Sequence, residues 1–438
     1  MVTSRPSRST RNVSVEPSTA SFPRPLAETT PLASTPWTVV KNHPALTLAL
    51  LIFIPGLGIS SWVTRSPDLR DTLGASTVEI GLILLGLSLG SMIGILSSGP
   101  LVARLGTRPV ILTATASIVG GVAIIGLGGA FAQSFVVAAG LFFFGLGMGG
   151  GEVGLNVAGA EIERQRGKDF LPTLHGCFSL GTTVGAGAGI ACTALQVPVS
   201  LHLGVAATVA AVMLLAAAPG VVANIGRQTR GMPTGPRPQS VLRDPKLLVI
   251  GAVVLAMAFA EGTANDWLPL VMVDGHGFDP ASGSAMYALF AVAMTVGRFT
   301  GGWLSAKIAR SVLLAASAML GAIGLALVIF VDGNPGVLLG AIVLWGLGAS
   351  LGFPLALSAA GASGENSAAR VSFASIVGYM AFLVGPPLLG ALGEEVGLRN
   401  AMIVVLVAVG AAIFAAPATR ARQNAVPAGT EPRVSSDV

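Results

Sequence analysis

Hydrophobic stretches about twenty residues long recur along this chain, and no other feature restricts its fold as strongly. A helix that crosses a bilayer needs ~20 mainly apolar residues. Twelve such segments are readable, near Pro44–Val63, Glu79–Ser98, Pro109–Gly129, Ser134–Ala160, Pro172–Leu195, His202–Ala223, Leu247–Val271, Ser282–Ser305, Ser311–Val331, Gly336–Ala362, Arg370–Leu392 and Leu398–Pro417. Between them little polar material is left. Only 10% of the 438 residues are charged and mean hydropathy is +0.78. A soluble domain carries about 25% charged residues, and this chain has too little polar surface to cover itself in water. Lipid is therefore expected to do much of the solvating. The 58 glycines suit helices whose backbones approach closely.

The positive charges fix an expected orientation, because loops rich in Lys and Arg stay cytoplasmic. Twelve spans put both termini on one side. Of the 25 Lys and Arg, 21 then fall on that side, three (Arg65, Arg70, Arg399) fall opposite, and Arg298 lies within a span. Both termini are expected in the cytoplasm. The expected division is a disordered tail over 1–43, a six-helix bundle over 44–223, a basic inter-bundle loop over 224–246, a second bundle over 247–418 and a tail over 419–438. The first 43 residues are rich in Ser, Pro and Arg. No apolar run follows closely on them, so they do not read as a signal peptide. Their acid-poor character also resembles a transit peptide, but a disordered cytosolic tail is the reading adopted.

Several polar residues have structural explanations. Ser76-Thr-Val-Glu79 is a capping box. Asp244-Pro245 and Asp279-Pro280 each pair an N-cap with a proline at the first helical position. Cys177 and Cys192, fifteen residues apart, would stand roughly 22 Å apart on one helix, beyond disulfide reach. No Cys/His spacing suggests a metal, and no cofactor is expected.

The chain repeats itself. Gly99-Pro-Leu101-Val-Ala103-Arg104-Leu-Gly106-Thr-Arg108 aligns without gaps on Gly302-Trp-Leu304-Ser-Ala306-Lys307-Ile-Ala309-Arg310, at an offset of 203. Gly145-Leu-Gly147 recurs as Gly346-Leu-Gly348 at an offset of 201. A period near 200 signals duplicated six-helix bundles. The expected fold is an all-α polytopic membrane protein of twelve transmembrane helices in two pseudo-symmetric six-helix bundles.

The Gly-x-Leu-x-x-Arg-x-Gly turn after the second span resembles the signature loop of the major facilitator superfamily. The resemblance covers about residues 44–418. The family's usual acidic residue in this loop is replaced by Ala103, and by Ala306 in the second copy, so the charge relay that the family uses there is weakened or replaced. Gly149-Gly-Gly-Glu152-Val-Gly-Leu-Asn156 and Phe259-Ala-Glu261-Gly-Thr-Ala-Asn-Asp266-Trp267 are similar to the fucose-permease and YbjJ-type bacterial branch. That resemblance implies a proton-coupled, alternating-access carrier in a bacterial inner membrane, its central cavity lined by the first, fourth, seventh and tenth spans.

Ionisable groups inside a membrane are costly, about 2.5–3.5 kcal/mol each on insertion scales, so each one retained invites a question. Glu152, with Asn156 one turn on, is the expected proton-coupling pair. A carboxylate withdrawn from water holds its proton more tightly, and a coupled carrier needs a group that loads and releases a proton near neutral pH. The bland alternative is a Glu bonded across a helix interface. Three glycines before Glu152 are expected to weaken that helix. Glu261, Asn265, Asp266, Trp267 and Trp62 are the expected substrate-cavity residues, able to orient and stack a hydroxylated or amine-bearing solute. Trp62 and Trp267 read equally as anchors at the membrane surface, and Asp266 as a solvated group near a helix end. Arg298, Arg104, Arg108, Lys307, Arg310 and His175 are the candidate gating residues. Arg298 would pair with an acid such as Glu152 or snorkel to headgroups. The loop cations set topology in any case, and His175 reads also as a hydrogen-bonded structural residue. Gly185-Ala-Gly187-Ala-Gly189 and Gly385-Pro-Pro-Leu-Leu-Gly390 are faintly similar to an antiporter motif, though such runs are mostly packing devices.

No P-loop or HExxH motif occurs, and the longest inner loop is too short to hold a nucleotide domain. An ATP-driven pump, a membrane enzyme and a nucleic-acid binder are not expected. The expected partners are a small solute, protons and lipid, with the chain a monomer. Three functions remain: proton-coupled uptake of a small polar, sugar-like solute; proton-antiport efflux of an amphipathic compound; and a transporter-shaped receptor that moves nothing. Few aromatics (6%) favour a polar substrate.

Overall fold

The computed structural model describes Met1 and residues 43–166, 170–227, 244–364 and 367–420. Most of the expected tails, most of the inter-bundle loop and Lys168 lie outside the described residues. Twelve helices are long and apolar enough to cross a membrane. In order, the first bundle contains α1 (Pro44–Val63), a short α2 (Ser66–Leu73), α3 (Thr77–Leu105), α4 (Thr107–Ala130), α5 (Ser134–Arg166), α6 (Leu171–Ala194) and α7 (Val199–Ala217). The second contains α8 (Pro245–His276), α9 (Pro280–Lys307), α10 (Arg310–Phe330), α11 (Pro335–Ala362), α12 (Ser367–Val396), α13 (Leu398–Ala401) and α14 (Ile403–Ala415). The end where α1 begins and α14 finishes is called the basic end, and the opposite one the far end.

Local chemistry sets the helix starts. Ser76 accepts from the Glu79 backbone N–H at 3.2 Å while Glu79 accepts from the Ser76 N–H at 2.8 Å, which completes the capping box of α3. Asp244 and Asp279 accept from the first-turn N–H groups of α8 and α9. Two expectations about the helices need correction. The repeated signature is not an extended turn: α3 runs through Gly99 and Pro100 to Leu105, and α9 runs to Lys307. The turn itself is little more than Gly106, at φ +84°, ψ 171°, a conformation essentially reserved for glycine. Its repeat partner Ala309 has φ −56° and needs no glycine. Nor do Gly149, Gly150 and Gly151 weaken α5, which is continuous over 33 residues. They seat it against α3 and α4; a Cβ on Gly149 would come 2.3 Å from the Ser91 carbonyl oxygen.

Between the bundles, α3 packs on α12 and α6 on α9. A Cβ on Gly81 of α3 would come 2.7 Å from the Pro386 carbonyl oxygen of α12, so the two helices meet nearly backbone to backbone. The glycine runs noted in the sequence serve close packing both within and between the bundles. Within the first bundle, Gly185 sits against the Leu57 carbonyl of α1 and Gly189 against Thr64 at its C-cap. Gly86-Leu-Ser88-Leu-Gly90 matches the Gly-x-Ser-x-Gly pattern of hydrolase nucleophiles, yet it lies inside α3, where Ser88 donates to the Phe382 carbonyl. That carbonyl is free because Pro386, four residues on, has no N–H to offer it.

The far end is closed by contacts between the halves. Arg70 of α2 pairs with Asp274 of α8. Glu394 of α12 accepts from the Thr77 and Val78 N–H groups at 3.0 and 3.3 Å, capping α3 from the other bundle. Ser284 of α9 donates to the Thr64 carbonyl. Helix α2, not anticipated from hydropathy, supplies one of these bonds.

Candidate functional site: a central cavity between the bundles

One cavity of about 730 Å³ lies between the halves, within the usual range for a small-molecule site. Its wall includes Pro55 of α1, Ser91 of α3, Glu152 of α5, Ser179 of α6, Glu261 of α8 and Arg298 of α9. It extends down to Gly302 and Ser305 near the end of α9, and so opens toward the basic end.

Glu152 reaches the cavity from the first bundle and is solvent-accessible there, although helices surround it. Across from it Glu261 accepts from Arg298 Nη2 at 2.7 Å. Arg298 therefore pairs with Glu261 in its own bundle, while its charge and that of Glu261 both act on Glu152. Arg298 had looked shallow in the sequence; because α9 continues to Lys307, it lies nine residues inside the helix end and on the cavity wall. Asn265 and Asp266 also line the wall. Asp266 is not near a helix end, since α8 runs on to His276, and it is 7% exposed. His175 stands on the wall, exposed to the cavity, with no hydrogen bond among the described residues.

Other candidates lie elsewhere. Trp62 and Trp267 are 2% and 1% exposed, off the central cavity and off the lipid face, and their indole N–H groups have no partner among the described residues. Their bulk fills the bundle cores, where large rings bury most area. Asn156 is half-buried and off the wall, where Leu155 stands instead; four residues turn a helix ~40° past a full circle. Arg104, Arg108 and Lys307 are exposed at the basic end and Arg310 is half-buried there. Lys307 Nζ sits 3.9 Å above the Trp303 ring.

Two residues escaped the sequence reading. The chain has only two tyrosines, Tyr287 and Tyr379, and both line the cavity. The Tyr287 hydroxyl lies 3.5 Å from Asn265 Oδ1. Tyr379 stands between Phe353 and Phe382, with ring centroids 6.5 and 6.3 Å away. With Phe178 and Phe299 these rings make the wall far more aromatic than the 6% composition suggested. Two rare tyrosines inside apolar spans were the available signal.

Comparison with known proteins agrees with this architecture. The profile of the Major Facilitator Superfamily matches residues 4–168, 66–363 and 267–436. An uncharacterized MFS-type transporter of Yersinia pestis is 30% identical over 347 residues, 79% of this chain and 88% of that protein. Membrane protein MosC of Rhizobium meliloti is 25% identical over 368 residues, 84% of this chain and 88% of that one. Among solved structures, the nucleoside transporter NupG superposes with a TM-score of 0.72 at 13% identity, covering 86% of this chain and all of that one. The E. coli fucose:proton symporter FucP superposes with a TM-score of 0.59 at 17% identity, covering 86% and 98%. With its twelve spans, its paired bundles and these matches, the chain belongs to the major facilitator superfamily of transporters.

Proposed function

We propose that the protein is a proton-coupled secondary transporter that carries a small polar solute through the central cavity by alternating access, in a bacterial inner membrane with both termini cytoplasmic. The observation that carries this reading is the meeting of Glu152, from one bundle, with the Glu261–Arg298 pair of the other in a single cavity. Arg298 is engaged by Glu261, and among the described residues Glu152 has no ion-pair partner. A carboxylate in that position is neutralised by a proton when water leaves it. Proton loading then changes the charge of the interface across which the halves must rearrange, which is the requirement for coupling. The charge distribution of the loops supports the orientation, and on that basis the conformation is cytoplasm-open. Uptake with a proton is the preferred direction, in keeping with the likeness to FucP, a fucose:proton symporter.

The test is proton flux in proteoliposomes loaded with a pH-sensitive dye and pulsed with sugars, sugar acids and amino sugars. Solute-dependent acidification of the lumen supports cotransport, and alkalinisation supports exchange. Solute accumulation without any proton movement overturns the coupling role of Glu152.

A further inference from the structure

Given a solute site in this cavity, as proposed above, its polar groups are distributed unevenly along the axis. Helix α8 rises from the basic end, so Asp266 stands ~7 Å beyond Glu261 toward the closed far end. Helix α9 descends, so Arg298 lies ~16 Å nearer the opening than Tyr287. The guanidinium is thus near the mouth and committed to Glu261. At the floor stand Asp266, Asn265 and Tyr287, whose carboxylate, amide and phenol oxygens can all accept. Asp266 is more than nine-tenths buried, borders the cavity, and has neither an ion pair nor a hydrogen bond among the described residues. A buried carboxylate is ordinarily paired, because leaving the charge alone in a dry site is costly. Among the described residues no protein group is bonded to it, and the cavity is where a partner would arrive.

We infer that the transported solute carries a protonated amine, and that the Asp266 carboxylate at the cavity floor is its counter-ion, with Asn265 and Tyr287 accepting its remaining N–H bonds. An ammonium group has three donors and no acceptor, which matches this set. A hydroxyl in the same place would leave Asp266 uncompensated, and sites built around a buried polar group reject analogues that do not satisfy it. The wall of Phe353, Tyr379 and Phe382 takes the apolar face of the solute between floor and mouth. Charge also closes. With a proton on Glu152, an ammonium on Asp266 and Arg298 on Glu261, the loaded cavity is neutral. With either ligand missing it retains an unpaired carboxylate, which hinders occlusion.

The test uses the full-length protein in detergent and reads thermal stabilisation by matched triplets: glucosamine, galactosamine and mannosamine, each beside its parent sugar and its N-acetyl form. Aliphatic amino alcohols are set beside their diols. The expected result is stabilisation by amine members, with the affinity read from its concentration dependence weakened roughly tenfold or more in Asp266→Asn. Asp266→Glu keeps the charge and should keep the amine preference, which guards against a folding defect in the first variant; the unliganded melting temperature of each reports folding. Equal stabilisation by parent sugars, an amine preference that survives in Asp266→Asn, or no stabilisation by any amine overturns the inference. None of these outcomes bears on proton coupling, which fails only if solute moves without protons in the liposome experiment.

Discussion

The two bundles repeat one architecture but divide the chemistry unequally. The first contributes a single carboxylate, Glu152, to the cavity. The second contributes Glu261, Asn265, Asp266 and Arg298 together with both tyrosines. Duplication supplied two equivalent scaffolds; on the reading proposed above, Glu152 of the first half takes the coupling proton and the polar groups of the second hold the solute. The same contrast appears at the turn between the second and third spans of each half. Gly106 holds a positive φ and donates no side chain, while Ala309 sits in an ordinary extended conformation.

That division can be broken experimentally. The largest expected effect is from Glu152→Gln, which should abolish solute-driven proton movement in liposomes while solute binding survives; unchanged proton flux would remove the first bundle's special role. Next is Glu261→Ala, which leaves Arg298 without its partner and should weaken solute binding about tenfold to a hundredfold, measured by calorimetry; normal affinity would place recognition elsewhere. Arg298→Ala should produce a similar loss, and the double variant less than the sum of the two, because the residues form one pair.

Smaller effects test the turns. Gly106→Ala should cost ~1–3 kcal/mol of stability, since its backbone conformation suits only glycine and the new Cβ would stand 3.2 Å from the Asn224 Cα. Ala309→Gly at the matching turn should stay within ~0.5 kcal/mol. Equal losses in thermal melts would show that the halves do not differ there. The smallest effect concerns Asp244 at the mouth of the second bundle. Its hydrogen bond to Arg370 holds its carboxyl below the usual carboxylate range. A lowered folded value means that the stabilisation is complete above the unfolded value and is lost as pH falls through the folded one. Wild type should therefore lose melting temperature below about pH 4 more steeply than Asp244→Asn; parallel curves would dissociate this pair from acid stability.

Much of the fold was written in hydropathy, because a span must be long, apolar and charge-poor regardless of its neighbours. Every expected span has its helix, with ends displaced by a few residues. Helix α2 was missed since eight residues with polar character carry no such signal. The site was legible where a charge interrupts an apolar span, which is how Glu152, Glu261 and Arg298 stood out. It was illegible where the decisive property is direction. Trp62 and Trp267 have the composition of a binding wall but point into the cores, and Tyr287 and Tyr379 looked like ordinary ring-bearing residues until the bundles placed both on one cavity. Which acid would meet Arg298 was also beyond sequence, since it depends on how α8 and α9 pack.

If the halves rock apart as proposed above, the bond between Ser88 and the Phe382 carbonyl gives hydration a part in the gate. Pro386 leaves a gap in the ladder of α12, and a hydroxyl from the opposite bundle fills it. When the halves separate on that side, the hydroxyl departs and the carbonyl has nothing within its own helix to turn to. Water must follow it in, so the ease of opening depends on how quickly the parting surfaces wet at the depth of Ser88.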